Sequence, residues 1–453
     1  MFISFAYVIV LIFTCFAVYY PILFNDFLNY WDDQIIVMNR FTEGGINFNN
    51  LWAILTQFHA GQYAPVNESL YLLLYTIFGY NAAVFHLTSL LLHTGCVCLT
   101  YIIILRIFSF AASTSNHLPV QNVSAIAFCT ALLFAVHPMN VEAVAWMSAS
   151  KVLIYTLFYL LATHTYIIYL DRKKIRYFIL TIGLFVLSFG SKEQAVSFPV
   201  WLLMLNWLFG RPFRDRKLWI EIAPFFVLSL AFGIVTIYSH VPSGGGLFSL
   251  QESYPLWQRF ILGSYAFIEY IVKFVVPINL LYLYPFPMLI GEALPTWMLL
   301  YPAIIFIICV TLWDHIKKMP LAGGLAFFLA HILVALHIIP ISRFVVVADR
   351  YIYIAGLGLA FVIVWYFVYF LSSRKTYVRK LAIVCFSCIT LSFCVYANIR
   401  CRDWKDTNSI KKEIRELLQR RDDYIPPPEV EKLMEESNIN KKISTMLCQL
   451  IIY

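Results

Sequence analysis

The sequence predicts an all-α, polytopic membrane protein, and three observations carry that fold class. Of its 453 residues, 61% are hydrophobic and 13% charged, against roughly 45–50% apolar and 25% charged in soluble domains. Apolar runs long enough for spanning helices recur along the chain. Lys and Arg gather in alternate loops, as the positive-inside rule expects of a multi-pass protein.

The bilayer core demands roughly 20 apolar residues per spanning helix, with a range near 17–25. About 11 transmembrane helices are expected, near 4–24, 82–105, 122–137, 152–170, 176–190, 195–210, 218–239, 297–313, 321–339, 351–371 and 380–399. Several are short and need tilt or local thinning. The first has no basic n-region and no clear small-residue cleavage site, so it is expected to be a retained helix.

With the N-terminus inside, the inner loops collect fifteen Lys and Arg, and the outer segments before the tail collect seven. The inner clusters are Arg172 to Arg176, Arg211 to Lys217 and Arg374 to Lys380. Acids run the other way, eleven outside against four inside, with Asp26, Asp32, Asp33, Glu142, Glu193 and Asp349 among the outer set. The net charge of +8 comes with no dense basic face, so it fits membrane orientation, and nucleic acid is not an expected partner.

Two outer segments are long, 25–81 and 240–296. Arg259 to Val276 is apolar enough to span, but spanning would reverse every later loop, so an interfacial or re-entrant helix is expected. Ser243 to Gly246 and the Pro285/Pro287 pair mark flexible and turn-rich connections beside it. Charge then concentrates in residues 400–442, with 11 basic and 10 acidic side chains. The organisation read is a transmembrane domain, 1–400, and a short helical tail on the outer side, 401–453, split by Pro426 to Pro428. Most cysteines sit in apolar runs, where they act as small hydrophobes. Cys401 and Cys448 are the two placed to pair, and no zinc site is expected.

The candidate chemistry lies on the outer side. Asp32 and Asp33 follow the first span, and adjacent residues point apart on either a strand or a helix. One carboxylate acting as a general base fits better than a chelating pair, with Mg²⁺ or Mn²⁺ through a single carboxylate plus substrate phosphate left open. The alternative is a solvated acidic loop. In His137-Pro-Met-Asn-Val-Glu142, proline disfavours helix at His137, Asn140 can cap the next helix, and Glu142 falls in its first turn. Glu142 is thus either a dipole-stabilised cap residue or a second acid facing the site, with His137 beside it.

Ser191-Lys-Glu-Gln194 reads as a capping box, which leaves Lys192 opposing the helix macrodipole unless an anion lies between them. Arg350, after Asp349, repeats that pattern, and Lys151 stands at the outer end of another span. Each could snorkel to headgroups; three cations on an acid-rich face favour a bound phosphate. The histidines show no HExxH or comparable spacing, so no metal ligands are assigned. Asn67-Glu-Ser69 and Asn122-Val-Ser124 are weak matches to a glycosylation triplet.

Taken in order, NYWDDQIIVMNR, PVNESLYLLLYTIFGYNAAVFHLTSLLLH, HPMNVEAVAWMSASK, SKEQAVSFPVWLLMLNW and VADRYIYIAGLGL resemble the membrane half of the transmembrane and tetratricopeptide-repeat O-mannosyltransferases and their bacterial relatives. These are C-type membrane glycosyltransferases, and the resemblance covers about residues 1–404. It implies a GT-C-like fold, a polyprenyl-phosphate sugar donor, commonly mannose, and a catalytic acidic motif in the first outer loop. Asp32 aligns with the first acid and becomes the favoured base, with Asp33 its neighbour or alternate. Lys192 and Arg350 fall within the family-like SKEQ and ADRY segments; their assignment to phosphate is a reading of the residues. Two departures stand out: no long repeat region follows, and Trp31 stands where many relatives carry tyrosine.

The expectation is therefore a glycosyltransferase moving one sugar to an acceptor hydroxyl on a protein or glycolipid. One carboxylate would serve as base, and the cations Lys192, Arg350 and Lys151 would hold the departing lipid phosphate. Glu142 is the further catalytic candidate, and His137, Glu193 and Asp349 line the site. The alternatives are a cell-envelope glycolipid or polysaccharide glycosyltransferase and a non-enzymatic polyprenyl-lipid flippase. The setting is a bacterial inner membrane or an endoplasmic reticulum membrane, with the site on the periplasmic or lumenal side.

Overall fold

The computed structural model describes residues 2–29, 32–114, 122–239, 254–282, 284–288, 291–316, 319–338 and 345–412. Trp31, Ser243 to Gly246, Pro426 to Pro428 and Cys448 lie outside them. α1 (Phe2–Tyr19) runs into a 3-10 turn (Tyr20–Phe24) with a proline in its first positions. The first long connection holds α2 (Asp32–Ile36), α3 (Arg40–Glu43), α4 (Phe48–Thr56) and α5 (Pro65–Phe78). Asn39 and Asn47 start α3 and α4 by accepting backbone N–H groups of the first turn, and Pro65 opens α5 where no N–H is needed.

α6 (Ala82–Thr114) and α7 (Val123–Val136) follow, and then the chain breaks at His137-Pro138 into a 3-10 turn and α8 (Val141–Ala145). Next come α9 (Ser150–Arg172), α10 (Ile175–Phe189), α11 (Phe198–Leu208) and α12 (Arg216–Ser239). After them stand α13 (Leu256–Val275), α14 (Leu300–Thr311), α15 (Trp313–Ile316), α16 (Met319–Ile332), α17 (Gly356–Leu371) and α18 (Thr376–Asp403).

Among the described residues, five helices are long and apolar enough to cross a membrane: Phe5–Phe24, Ala82–Ala112, Met147–Arg172, Arg216–Ser239 and Thr376–Asp403. Val123–Val136 with Pro138–Ala145, bent by 54°, makes a sixth if the pair is one span. Ile175–Phe189, Thr296–Thr311, Pro320–Ala335 and Gly356–Leu371 are apolar but shorter. The protein is thus an all-α, multi-pass membrane protein with five or six membrane-length helices. The remaining expected spans hold shorter helices, and of these α10 and α11 end within two residues of a glycine, Gly190 and Gly210.

α9 is the central helix: it lies along α6 and α10 and buries Tyr155, Tyr159 and Tyr166. α16 and α17 meet backbone to backbone. A methyl group on Gly358 would collide with the Gly324 carbonyl and lie 2.7 Å from the Phe328 nitrogen, so only glycine permits this close approach. α13 is amphipathic: Leu262, Ala266, Tyr270 and Phe274 are buried at four-residue spacing, while Trp257, Phe260 and Val275 are exposed.

The segment after α18 folds back on the first connection. Asn25 Nδ2 donates to the Cys401 carbonyl (2.8 Å), Asp26 N–H to Lys405 (2.9 Å) and Thr407 Oγ1 to Asn29 (2.6 Å). Cys401 is buried and pairs with no cysteine among the described residues, which do not include Cys448. Residues 401–412 therefore pack against the stretch that leads to Asp32.

Three local expectations are corrected. Ser191 does not cap α11; its hydroxyl donates back to Leu187 within the end of α10, and Gln194 is buried. Asn140 precedes α8 without capping it by its side chain, which instead donates to the Phe134 carbonyl at 2.7 Å. The ring of His137 caps the intervening turn, accepting from Met139 N–H (3.3 Å). Asn67 is buried in the first turn of α5, closed to a glycosylating enzyme, whereas Asn122 is exposed.

Candidate functional site

α2 begins at the acidic pair and separates it. Asp33 is 1% exposed. Its Oδ2 accepts the Leu28 N–H (2.9 Å), and its Oδ1 accepts the Ser148 N–H (3.0 Å) and the Ser148 hydroxyl. These bonds pin the first connection to the turn that starts α9. Burial pushes the Asp33 carboxyl up to about 6, outweighing those donors.

Asp32 is open to solvent at its edge. Protein crowding raises its pKa, while the charges of Lys151 and Arg350 draw it down. It is the carboxylate of the pair that faces the cations.

Those cations arrive on three elements. Lys151, at the start of α9, donates to Gln62 Oε1 and feels the charges of Lys192, Glu193, Asp32 and Arg350. Lys192, 5% exposed, precedes the 3-10 turn Glu193–Ser197, and its ammonium lies 5.7 Å from the centre of the Tyr351 ring. Arg350 covers the same ring at 4.9 Å and Trp146 at 5.2 Å. Trp146 in turn stacks on Trp404 from the segment after α18, 5.5 Å between centroids.

Arg350 is already committed to a carboxylate. Its backbone N–H donates to Glu142 Oε2 (2.8 Å) and its guanidinium to Glu142 Oε1. Burial alone would disfavour the charged guanidinium; the negative charge of Glu142 outweighs it and keeps Arg350 charged. Asp32, Glu142 and Glu193 thus balance Lys151, Lys192 and Arg350, and the cluster is formally neutral. An anion would be held by directed donors rather than by net charge. Lys151 uses one of an ammonium's three N–H groups on Gln62, which leaves Lys151 and Lys192 as the directed cationic donors.

Asp349 and His137 stand apart from this cluster. Asp349 is buried, with Oδ2 3.0 Å from Arg400 Nη1 and Oδ1 accepting the Tyr284 hydroxyl at 3.0 Å. Arg400 also donates to the Pro138 carbonyl (3.2 Å), so α18, the turn at Pro138 and the ADRY segment are fastened together. His137 Nε2 donates to the Phe274 carbonyl (2.9 Å), and its ring stacks on Phe274 at 3.9 Å. It anchors α13 and does not reach Asp32.

Gln62, Tyr351, Trp146, Trp404, Ser148 and Arg400 were not singled out in the sequence. Arg400 carried a usable signal: an ionisable residue ending a long apolar helix calls for a partner, and Asp349 is that partner. The others come from distant stretches and carried none.

The carboxylates of this cluster form no chelating pair for a divalent cation. Among the described residues, no group of three or more His, Cys, Asp or Glu side chains is placed to hold a metal ion. Asp32 already faces Lys151 and Arg350, and Asp33 and Glu142 have their oxygens engaged.

The fold and cluster define a polytopic helical membrane protein with a cluster of charged and aromatic side chains where α2, α8, α9 and the ADRY segment meet. Comparison with protein-family models and with curated proteins finds no match to the chain.

Proposed function

We propose that the protein is a glycosyltransferase of the C-type membrane class, with eleven spans, that moves one sugar from a polyprenyl phosphate to an acceptor hydroxyl on the outer face. Protein O-mannosylation is the favoured reaction. The observation that carries this reading is Asp32, an accessible carboxylate facing Lys151 and Arg350 with Lys192 alongside.

In this mechanism Asp32 accepts the proton of the acceptor hydroxyl as the oxygen attacks the anomeric carbon, with inversion. The bond from that carbon to the phosphate oxygen breaks, and Lys192 and Lys151 bind the departing lipid phosphate. Phosphate leaves as an anion and needs no second carboxylate to protonate it, unlike the sugar leaving group of a glycosidase. Glu142 holds Arg350 against the Tyr351 ring, and Asp33 and Ser148 fix the position of α2.

The test is transfer from radiolabelled polyprenyl-phosphate mannose by purified protein, with a peptide and a glycolipid offered as acceptors. Label on the peptide supports O-mannosylation. Label on the glycolipid alone moves the reading to envelope glycolipid synthesis. No transfer, with donor movement across a vesicle membrane, replaces it with a lipid flippase.

A further inference from the structure

At the far end of α9 from Lys151, a groove opens sideways between α1, α6 and α9. Lys151 and Asp171 lie twenty positions apart on this helix, or about 30 Å at 1.5 Å per residue. That length matches the hydrocarbon thickness, so the Asp171 end lies at the opposite membrane–water boundary. Val8, Ile102, Leu105 and Ile167 wall the groove, and Tyr101, Arg106 and Asp171 add polar groups to it.

Three features point to a ligand. Arg106 is half-buried on an otherwise apolar stretch of α6 and makes no ion pair or hydrogen bond among the described residues; His164 is an ionisable neighbour. Tyr101 is 1% exposed, and its hydroxyl has no hydrogen-bond partner. Snorkelling to bulk lipid accounts for an arginine at this depth but not for a buried, unpaired phenol. Asp171 lies in the last turn of α9, where the helix's terminal carbonyls add to its negative charge and favour a cation.

We infer that this groove binds a zwitterionic aminophospholipid, a phosphatidylethanolamine, with its phosphate on Arg106 and the Tyr101 hydroxyl, its ammonium on Asp171, and an acyl chain along the apolar wall. One cation and one anion in the same groove match a zwitterion. A phosphatidylglycerol has no ammonium to place on Asp171. A trimethylated choline headgroup has no N–H to donate to Asp171. The inference rests on the membrane-spanning helices and is independent of the transferase reading.

Full-length protein in mild detergent, mixed with phosphatidylethanolamine, phosphatidylcholine and phosphatidylglycerol of identical chains and with a polyprenyl monophosphate, is read by native mass spectrometry. Phosphatidylethanolamine should be retained about tenfold over the other two phospholipids, the scale of a single charge-assisted hydrogen bond. Asp171→Asn, at an exposed position, should abolish the preference over phosphatidylcholine. Tyr101→Phe should cut retention several-fold without moving the unfolding midpoint. Equal retention of the three phospholipids, a preference for phosphatidylglycerol or the polyprenyl phosphate, or unchanged selectivity in Asp171→Asn would each overturn the inference.

Discussion

Glu142 grips Arg350 at two points, taking its backbone N–H on one carboxylate oxygen at 2.8 Å and its guanidinium on the other. The two residues lie 208 positions apart, so this contact ties α8 to the start of α17 beside Asp32. Glu142 is buried and the Arg350 side chain 19% exposed, so the pair is largely withdrawn from water. In such a place, losing one partner costs more than the pair contributes, because the other charge is left without compensation.

Glu142→Ala should therefore lower unfolding stability by about 3 kcal/mol. Glu142→Gln, which can still accept the Arg350 N–H, should cost about half as much. Denaturant titrations in bicelles read both. Equal midpoints for wild type and Glu142→Ala would show that the pair contributes nothing.

Arg350 and Lys192 should separate in the same way. Arg350→Ala strands Glu142, so it should lose stability along with donor affinity. Lys192→Ala removes a cation that lies over the Tyr351 ring, so it should weaken donor binding about tenfold or more, as for a charge-assisted hydrogen bond, with little change in stability. Donor titrations beside unfolding curves decide it. Unchanged donor affinity in Lys192→Ala would take that residue out of the phosphate site.

The sequence made the membrane class and the helix positions legible because apolar runs and charge bias are local signals. Span length was less legible, since proline and glycine breaks such as His137-Pro138 shorten helices without interrupting hydropathy. The divergence of Asp32 from Asp33 follows from backbone geometry alone, yet nothing in the sequence marks Ser148 as the partner of Asp33. The pairings Glu142–Arg350 and Asp349–Arg400 are tertiary: the apolar helix around Arg400 marks it as needing a partner but does not say which, and nothing in the sequence marks the first pairing. For the same reason the cluster reads as cation-rich along the chain, while in space three carboxylates balance it.

The acidic pair should divide by function. Asp32→Asn keeps shape but removes the proton acceptor, and turnover should fall by about 10²- to 10⁴-fold with donor affinity largely kept. The rate should also rise with pH through a value above the usual aspartate range, because crowding raises that carboxyl. Asp33→Asn should leave the rate per folded molecule within a few-fold of wild type. A dead Asp33→Asn beside an active Asp32→Asn would transfer the base role, and normal rates for both would end the carboxylate mechanism.

Orientation can be tested on residues 401–412, which dock on the segment before Asp32 and so share its side of the membrane. Lys412 is exposed. An impermeant thiol reagent should label Lys412→Cys from the outer face and not from the cytoplasmic one. Labelling from the cytoplasm alone would move both the segment and the Asp32 cluster inside.

Gly358 should tolerate no side chain, since its Cα faces the Gly324 carbonyl and the Phe328 backbone nitrogen rather than flexible side-chain ends. Gly358→Ala should cost about 1–3 kcal/mol by overpacking, and Gly358→Leu more, by forcing α16 and α17 apart. Gly183, with nothing near its Cβ position, is the control. Its change to alanine should be neutral or mildly stabilising, because alanine is the better helix former. Equal unfolding midpoints for Gly358→Ala and Gly183→Ala would show that the two helices do not pack at this point.

The buried Asp33 should give folding a distinct pH signature. Its carboxyl titrates at about 6 in the folded protein, against 3.8 for the ordinary side chain. Between those values the folded state binds more protons than the unfolded state, so stability falls as pH rises from about 4 to about 6 and then levels. A shift of roughly two units corresponds to about 3 kcal/mol, larger at pH 4 than at pH 7. Asp33→Asn cannot titrate, so the difference between wild-type and variant unfolding free energies should carry this slope while other groups cancel. Asparagine also offers one acceptor oxygen where ionised aspartate offers two, so above about pH 6 either the Leu28 or the Ser148 donor loses in the variant a partner that wild type keeps. A wild-type-minus-variant difference that grew with pH over this window would mean that the three donors hold Asp33 ionised and that burial is the weaker effect.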